Sequence, residues 1–352
     1  MKAVVCHAFG PPQTLVIEDR PRPIPAAGQV LLAVHAIGVY FTDVLAVEGR
    51  SQLRRQFPMI PGVEAAGVVL AVGAGVSKFR AGQRVLGAHA SGAYAEEVLF
   101  DEDEVAAIPD AMDIASAACF YIASMTVRYG LQDRARLASG ENLLVLGAGG
   151  GAGLAGVEIG KALGARVVAA ASSTEKLVLA KSRGADALVL YERGPLDLAA
   201  QKSFAATLLA QAPRKSDQAQ SIGKISSVSD SAGYHVILDG VGGSYAEPAL
   251  RALGWEGRYV SIGFAAGMAT VALGPALFKN ANIYGIQPSA DEHRMPGRSP
   301  AAMRTMFDWY LAGKLRPLIT HQFSLHQAAQ ALQLMKDRQA TGRIVLTTSY
   351  VR

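Results

Sequence analysis

The stretch Leu143-Leu144-Val145-Leu146-Gly147-Ala148-Gly149-Gly150-Gly151-Ala152-Gly153 concentrates residues with little or no side chain. Glycines let a chain turn tightly and bring backbone N–H groups close to an anion. A helix starting just after them aims its unpaired N–H groups and the positive end of its dipole at the same charge. The chemistry this suits is binding of a dinucleotide pyrophosphate, with Gly147, Gly149, Gly150, Gly151, Ala152 and Gly153 as contacts. The spacing is Gly147-x-x-Gly150-x-x-Gly153, and Ala148 stands where the first glycine of the dinucleotide fingerprint usually falls. No Gly-Lys-Ser/Thr follows, which disfavours a P-loop.

A second signal lies downstream, in Val167-Val168-Ala169-Ala170-Ala171-Ser172-Ser173-Thr174-Glu175-Lys176. Sites that prefer NAD usually end this strand with Asp or Glu on the ribose 2′-hydroxyl. Here Ala171 holds that position. A carboxylate about 4 Å from a 2′-phosphate costs roughly 4 kcal/mol per charge pair at an effective dielectric near 20, and ~1 kcal/mol in water. Hydroxyls on Ser172 and Ser173 and a cation on Lys176 suit the phosphate instead, so the expected cofactor is NADPH.

Such groups need elements to hold them. The glycine run sits between an apolar strand and an amphipathic helix, Leu154–Gly164, with a second strand at Arg166–Ala171, the order of a βαβ unit. Strands and helices keep alternating from about 120 to 288, with strands at Ala187–Tyr191, Val236–Asp239, Arg258–Gly263 and Asn282–Ile286. That alternation predicts a parallel sheet with right-handed crossovers. Residues 1–115 instead read as short strands broken by turns, at Lys2–His7, Thr14–Asp19, Val30–Gly38, Gly67–Val72, Arg84–Ala88 and Ala93–Phe100. They predict a mostly antiparallel β domain. Helical patterning is expected at Asp113–Ala118, Ser124–Arg136, Ala301–Ala312 and Leu325–Arg338. The last strand, Arg343–Thr348, is expected to return to the first domain. The polar stretch Pro213–Gly233 reads as a surface loop.

Bulk properties narrow the class. The chain has 352 residues, enough for two domains with their own cores. Lys plus Arg exceed Asp plus Glu by 34 − 29 = 5. The small excess is spread along the chain, which makes nucleic acid an unlikely partner while favouring an anionic cofactor. The two cysteines, Cys6 and Cys119, imply neither a disulfide framework nor a cysteine-rich zinc site. No targeting segment or membrane span is read, so the expectation is a cytoplasmic enzyme acting on a small molecule.

Several motifs, in order, resemble one family. They are Lys2-Ala3-Val4, Pro61-Gly62-Val63-Glu64-Ala65-Ala66-Gly67-Val68-Val69, Gly82-Gln83-Arg84-Val85, the glycine run, Asp239-Gly240-Val241-Gly242-Gly243, Trp255-Glu256-Gly257-Arg258 and Thr341-Gly342-Arg343-Ile344. The chain resembles the zinc-independent medium-chain dehydrogenase/reductases, specifically the NADPH:quinone oxidoreductase group. The resemblance implies an α/β fold: a GroES-like β-rich catalytic domain, 1–119 and 289–352, and a Rossmann-type doubly wound parallel-sheet cofactor domain, 120–288. Zinc-dependent relatives carry metal ligands at positions that here read Tyr40, Val63 and Ile122. A catalytic zinc needs about three N, S or O protein ligands, so no metal is expected.

The resemblance also implies roles. Tyr40, Asp43 and Thr126 fall at catalytic-domain and nicotinamide positions. Tyr191 falls near the adenosine 2′-phosphate, Gly263 and Phe264 over the nicotinamide, and Arg343 within reach of the phosphates. Without a Lewis acid, hydride is expected to go to an acceptor that tolerates negative charge, a quinone or an α,β-unsaturated carbonyl. Tyr40 replaces the family's usual Asn and either donates a proton or packs beside the ring. Two alternatives stand beside this. One is an enoyl-thioester reductase, with Arg54, Arg55, Arg294 and Arg298 at the pocket mouth. The other is a non-catalytic NADPH-binding sensor or RNA-associated protein. A homodimer formed through the edge strand Asn282–Ile286 is expected.

Overall fold

Strand β3, Gln29–Val39, is buried along nearly its whole length, as befits the centre of a sheet covered on both faces. In the computed structural model, which describes residues 1–51, 56–88, 91–212, 233–287 and 298–349, this strand organises the first of two units. That unit comprises Met1–Ile122 with Pro317–Arg352; the second is Ala123–Arg316. The divisions differ from the expected 119/120 and 288/289. Helix Arg298–Leu311 therefore groups with the second unit, where it buries Ala302, Met303 and Met306. Close by, the Arg316 N–H donates to Glu158 Oε2 at 3.3 Å and Arg183 bridges Glu158 to the Arg316 carbonyl.

In the first unit β1 (Lys2–Val5) pairs antiparallel with β2 (Val16–Asp19). The larger sheet holds β3, β4 (Glu64–Val72), β5 (Arg84–Ala88), β6 (Glu97–Asp101) and β7 (Val105–Ala107) in antiparallel register. The chain's last strand, β15 (Arg343–Thr347), joins β3 antiparallel with Ile344 opposite Val39. The terminal segment thus returns to the first unit, as expected. The strand Ile319–Ser324 (β14) has no counterpart in the sequence reading. Half-buried Ile319, His321 and Phe323 alternate with exposed Thr320, Gln322 and Ser324, and the strand pairs in parallel with β15.

The second unit has a six-stranded parallel sheet in the order β10-β9-β8-β11-β12-β13. These strands are β8 (Asn142–Leu146), β9 (Arg166–Ala171), β10 (Ala187–Leu190), β11 (Tyr234–Asp239), β12 (Leu253–Ser261) and β13 (Asn282–Gly285). The strand order reverses between β8 and β11, and in open α/β sheets ligands bind at that switch point, beyond the carboxyl ends of the strands. Two glycines bring helix Gly151–Ala162 close to the sheet. A Cβ on Gly156 would lie 2.6 Å from Leu238, and one on Gly160 2.5 Å from Leu143. Residues 213–232 of the expected surface loop lie outside the described residues, as do Arg54, Arg55 and Arg294 and the side chain of Arg298.

Candidate active site

In the second unit the glycine run makes a tight turn from β8 into the next helix. Gly147 leaves β8 with φ of +75°, and a Cβ on Gly153 would sit 2.1 Å from the Gly147 carbonyl oxygen. Both positions therefore require glycine. Gly150 is the N-cap and Gly151, Ala152 and Gly153 form the first helical turn, whose N–H groups have no intrahelical acceptor. Gly149 lies under Lys176, because a Cβ there would meet the Lys176 Cβ at 2.3 Å. This cradle of backbone donors fits a pyrophosphate.

At the end of β9, Ser173 caps helix Thr174–Ser182 by accepting the Lys176 N–H at 3.4 Å. Ser172 takes a hydrogen bond from Arg193 Nε at 3.2 Å. Arg193 follows β10, and motif reading passes over it, since one arginine in a turn has no spacing to mark it. The Tyr245 hydroxyl holds that turn by donating to the Glu192 carbonyl at 2.5 Å and the Gly194 carbonyl at 2.8 Å. Partial burial, and then the Arg193 charge, draw the Lys176 ammonium below its usual range. Two cations and two hydroxyls gather where an anion would offset their repulsion. The Tyr191 N–H bonds to the Ala171 carbonyl at 3.0 Å, and its ring packs against Phe204 and Tyr245.

Further along the same edge, Gly263 and Phe264 follow β12, and a Cβ on Gly263 would meet the Gly240 oxygen at 3.2 Å. Asp239, fully buried, accepts N–H groups of Val241 at 2.6 Å and Gly242 at 3.0 Å and the hydroxyl of Tyr259. It shapes the turn that brings Val241 against Gly147. Thr126 stands well inside helix Tyr121–Arg128 rather than at its start, because the helix begins three residues before the expected Ser124 and then widens into π turns at Tyr129–Arg134.

The first unit holds a separate polar cluster. Tyr40 precedes helix Phe41–Val47, a short element that the sequence reading omitted. Its N–H donates to Asp43 Oδ2 at 2.8 Å, and the same oxygen accepts the Tyr94 hydroxyl at 3.0 Å. Asp43 is only 1% exposed. It grips the backbone of Tyr40 and positions that residue. Gly38 leaves room for the Tyr40 ring, since a Cβ there would lie 2.8 Å from Tyr40 Cε2 and 2.5 Å from the Ala118 oxygen.

The Tyr40 hydroxyl donates to Glu64 Oε2. Glu64 is fully buried at the start of β4. Its carboxyl also accepts the N–H groups of Tyr121 at 2.6 Å and Ile122 at 3.0 Å. Burial pushes this carboxyl up to about 7, against the hydrogen bonds and the Arg343 charge, which favour its ionised form. Burial and the Glu64 charge hold the Tyr40 phenol well above the usual phenol range. Cys119, in the same surroundings, is pushed up to about 12 and remains a thiol. Arg343, expected within reach of the phosphates, is 6% exposed and acts electrostatically on Tyr40, Glu64 and Cys119.

Among the described residues no three His, Cys, Asp or Glu side chains converge as metal ligands. Tyr40 is bonded to Glu64, Val63 is aliphatic, and Ile122 offers only its backbone. This donor set does not fit a catalytic zinc.

Comparison with known proteins agrees with both units. The zinc-binding dehydrogenase family matches residues 226–346, and the alcohol dehydrogenase GroES-like domain matches residues 26–110. Quinone oxidoreductase-like protein 2 of Bos taurus is 32% identical over 351 residues, covering 98% of this chain and 92% of that protein. A mycobacterial structure complexed with NADPH superposes with a TM-score of 0.85 at 27% identity, over 99% of each chain. The quinone oxidoreductase of Pseudomonas syringae pv. tomato does so with a TM-score of 0.84 at 27% identity, over 98% of this chain and 99% of that one. With the parallel sheet and its glycine cradle in one unit and the GroES-like sheet in the other, the chain belongs to the medium-chain dehydrogenase/reductase superfamily, in its quinone oxidoreductase-like group.

Proposed function

We propose that this protein is an NADPH-dependent, zinc-independent reductase that transfers hydride to a quinone or an α,β-unsaturated carbonyl. The observation that carries the cofactor choice is the cluster of Ser172, Lys176 and Arg193 beside the glycine cradle. Two cations there favour a 2′-phosphate, and NADPH in the mycobacterial relative supports the same choice. When bound, NADPH supplies the hydride. The chain's own residues bind the pyrophosphate on Gly147–Gly153, hold the 2′-phosphate at Ser172, Lys176 and Arg193, and orient the nicotinamide near Gly263, Phe264 and Thr126. Orientation and exclusion of water are the protein's main contributions to such a transfer.

The donor set around Tyr40 supports this acceptor class. A metal would stabilise an alkoxide as a Lewis acid, whereas a quinone or enone itself spreads the incoming charge onto oxygen. Tyr40, protonated at neutral pH and partly exposed, is the proton donor to that oxygen or to the adjoining carbon. Asp43 positions it. The test is turnover of NADPH by the purified chain with a panel of quinones, enones and enals.

Two further assignments accompany this proposal. The edge strand β13 carries exposed Ile283, and Leu277 and Phe278 nearby are about three-quarters exposed, at 76% and 74%. A bare edge flanked by apolar side chains favours pairing with a second copy across a two-fold axis. A cytoplasmic setting suits the two buried, unpaired thiols Cys6 and Cys119; among the described residues no helix is long and apolar enough to cross a membrane.

A further inference from the structure

We infer that Glu64 is a positioning and proton-storing residue behind Tyr40: it returns a proton to the Tyr40 oxygen and decides whether the Tyr40 hydrogen is free to serve a substrate. This rests on the assignment of Tyr40 as the proton donor.

The geometry is a buried dead end. Glu64 is fully buried, and its oxygens are engaged by the Tyr40 hydroxyl and by the N–H groups of Tyr121 and Ile122. Tyr40 is the partly exposed member of the pair, so protons reach Glu64 through it. Arg343 and Cys119 act electrostatically on the pair, and the Asp43 carboxylate accepts the Tyr40 N–H. Burial keeps Cys119 a neutral thiol. Within this cluster Glu64 is therefore the group that changes charge near neutrality.

Its two forms treat Tyr40 differently. An ionised Glu64 accepts the Tyr40 hydrogen and keeps it. A protonated Glu64 donates its own O–H to the Tyr40 oxygen and frees the Tyr40 hydrogen for an acceptor. In the transfer, the Tyr40 O–H bond breaks as its proton joins the anion left on the substrate, whose extra electron pair arrived with the hydride. The Glu64 O–H bond breaks as its proton re-forms the Tyr40 O–H. The step ends with a carboxylate facing Arg343 and three hydrogen-bond donors, with no buried phenolate, which the environment of Tyr40 strongly disfavours. Solvent later recharges Glu64 through Tyr40.

The experiment compares the full-length wild-type chain with Glu64→Gln and Tyr40→Phe. Carboxyl-carbon NMR of the unliganded proteins follows Glu64, and steady-state enone reduction with NADPH gives the pH–rate profile of each. The expected Glu64 midpoint is near neutral in the wild type and higher in Tyr40→Phe, which has lost one donor to the carboxylate. The wild-type rate is expected to fall about tenfold per pH unit above that midpoint. Glu64→Gln is expected to be slower and to lack that limb. If Glu64→Gln fails to fold, agreement between the wild-type NMR and kinetic midpoints decides the matter, and disagreement overturns the inference. A Glu64 that stays ionised through the neutral range overturns it whatever the activity. If Tyr40→Phe is slow while Glu64→Gln keeps the wild-type profile, the relay falls and the donor assignment stands. If Tyr40→Phe reduces the enone at the wild-type rate, both fall.

Discussion

Arg193 donates its Nε hydrogen to the Ser172 hydroxyl at 3.2 Å, joining the ends of two neighbouring parallel strands. Lys176 stretches over Gly149. The pair places positive charge at a strand end that lacks the usual NAD-selecting acid at Ala171, as the proposed 2′-phosphate site requires. Removing both cations in Lys176→Ala/Arg193→Ala should weaken NADPH binding by about 2–4 kcal/mol, the scale of charge-assisted hydrogen bonds lost. NADH binding should change little. Titration calorimetry with both nucleotides checks the difference, and equal losses for the two would contradict a 2′-phosphate role.

Asp43 holds Tyr40 by its backbone and Tyr94 by its hydroxyl. Asp43→Ala should cost about 2–4 kcal/mol of stability, because two buried donors lose their acceptor. It should also lower kcat while leaving the cofactor affinity near wild type. Urea unfolding and fluorescence titration with NADPH separate the two effects.

The raised Glu64 carboxyl makes a pH prediction of definite sign. Its folded value of about 7 lies above the ordinary 4.5, so between these values the folded state binds the extra proton. Stability from this group is fully present below the ordinary carboxylate value and is lost as pH rises through about 7. The loss is on the order of 3 kcal/mol. Urea midpoints of the wild type should therefore fall relative to Glu64→Gln from mildly acidic to neutral pH. A difference that stays constant would show that Glu64 is ionised throughout.

The proposed dimer predicts that Ile283→Lys, on the edge strand, yields a monomer with an intact fold. Placing a charge on an apolar edge is a standard barrier to strand pairing. Sedimentation velocity should show a dimer for the wild type at micromolar concentration. A monomeric wild type removes the proposal.

Much of the fold is legible from side-chain pattern alone. The apolar runs at Leu143–Leu146 and Val167–Ala171 and the glycines between them specify strand, turn and helix with little ambiguity, because Gly147 and Gly153 admit no alternative. Strand β14 escapes detection because only Ile319 and Phe323 of its six residues are apolar, so its pairing with β15 decides it. Helix Phe41–Val47 is too short to show a period. In the site, Tyr40 stands out by replacing an expected ligand, whereas Arg193 and the role of Glu64 depend on contacts across 21 and 24 residues of sequence. The electrostatic link of Arg343 to Glu64 is not legible either, because the start of a strand shows a charge but not the buried acid near it.

The central claim is hydride transfer from NADPH to a conjugated carbonyl without a metal. Its most direct test is the rate of NADPH oxidation by the purified protein with a panel of quinones, enones and enals, run beside NADH and in the presence of a metal chelator. The account predicts turnover with at least one acceptor, at least about tenfold preference for NADPH over NADH, and no effect of the chelator. Folded protein that binds NADPH and oxidises none of it with any acceptor would contradict the account, as would activity that the chelator abolishes.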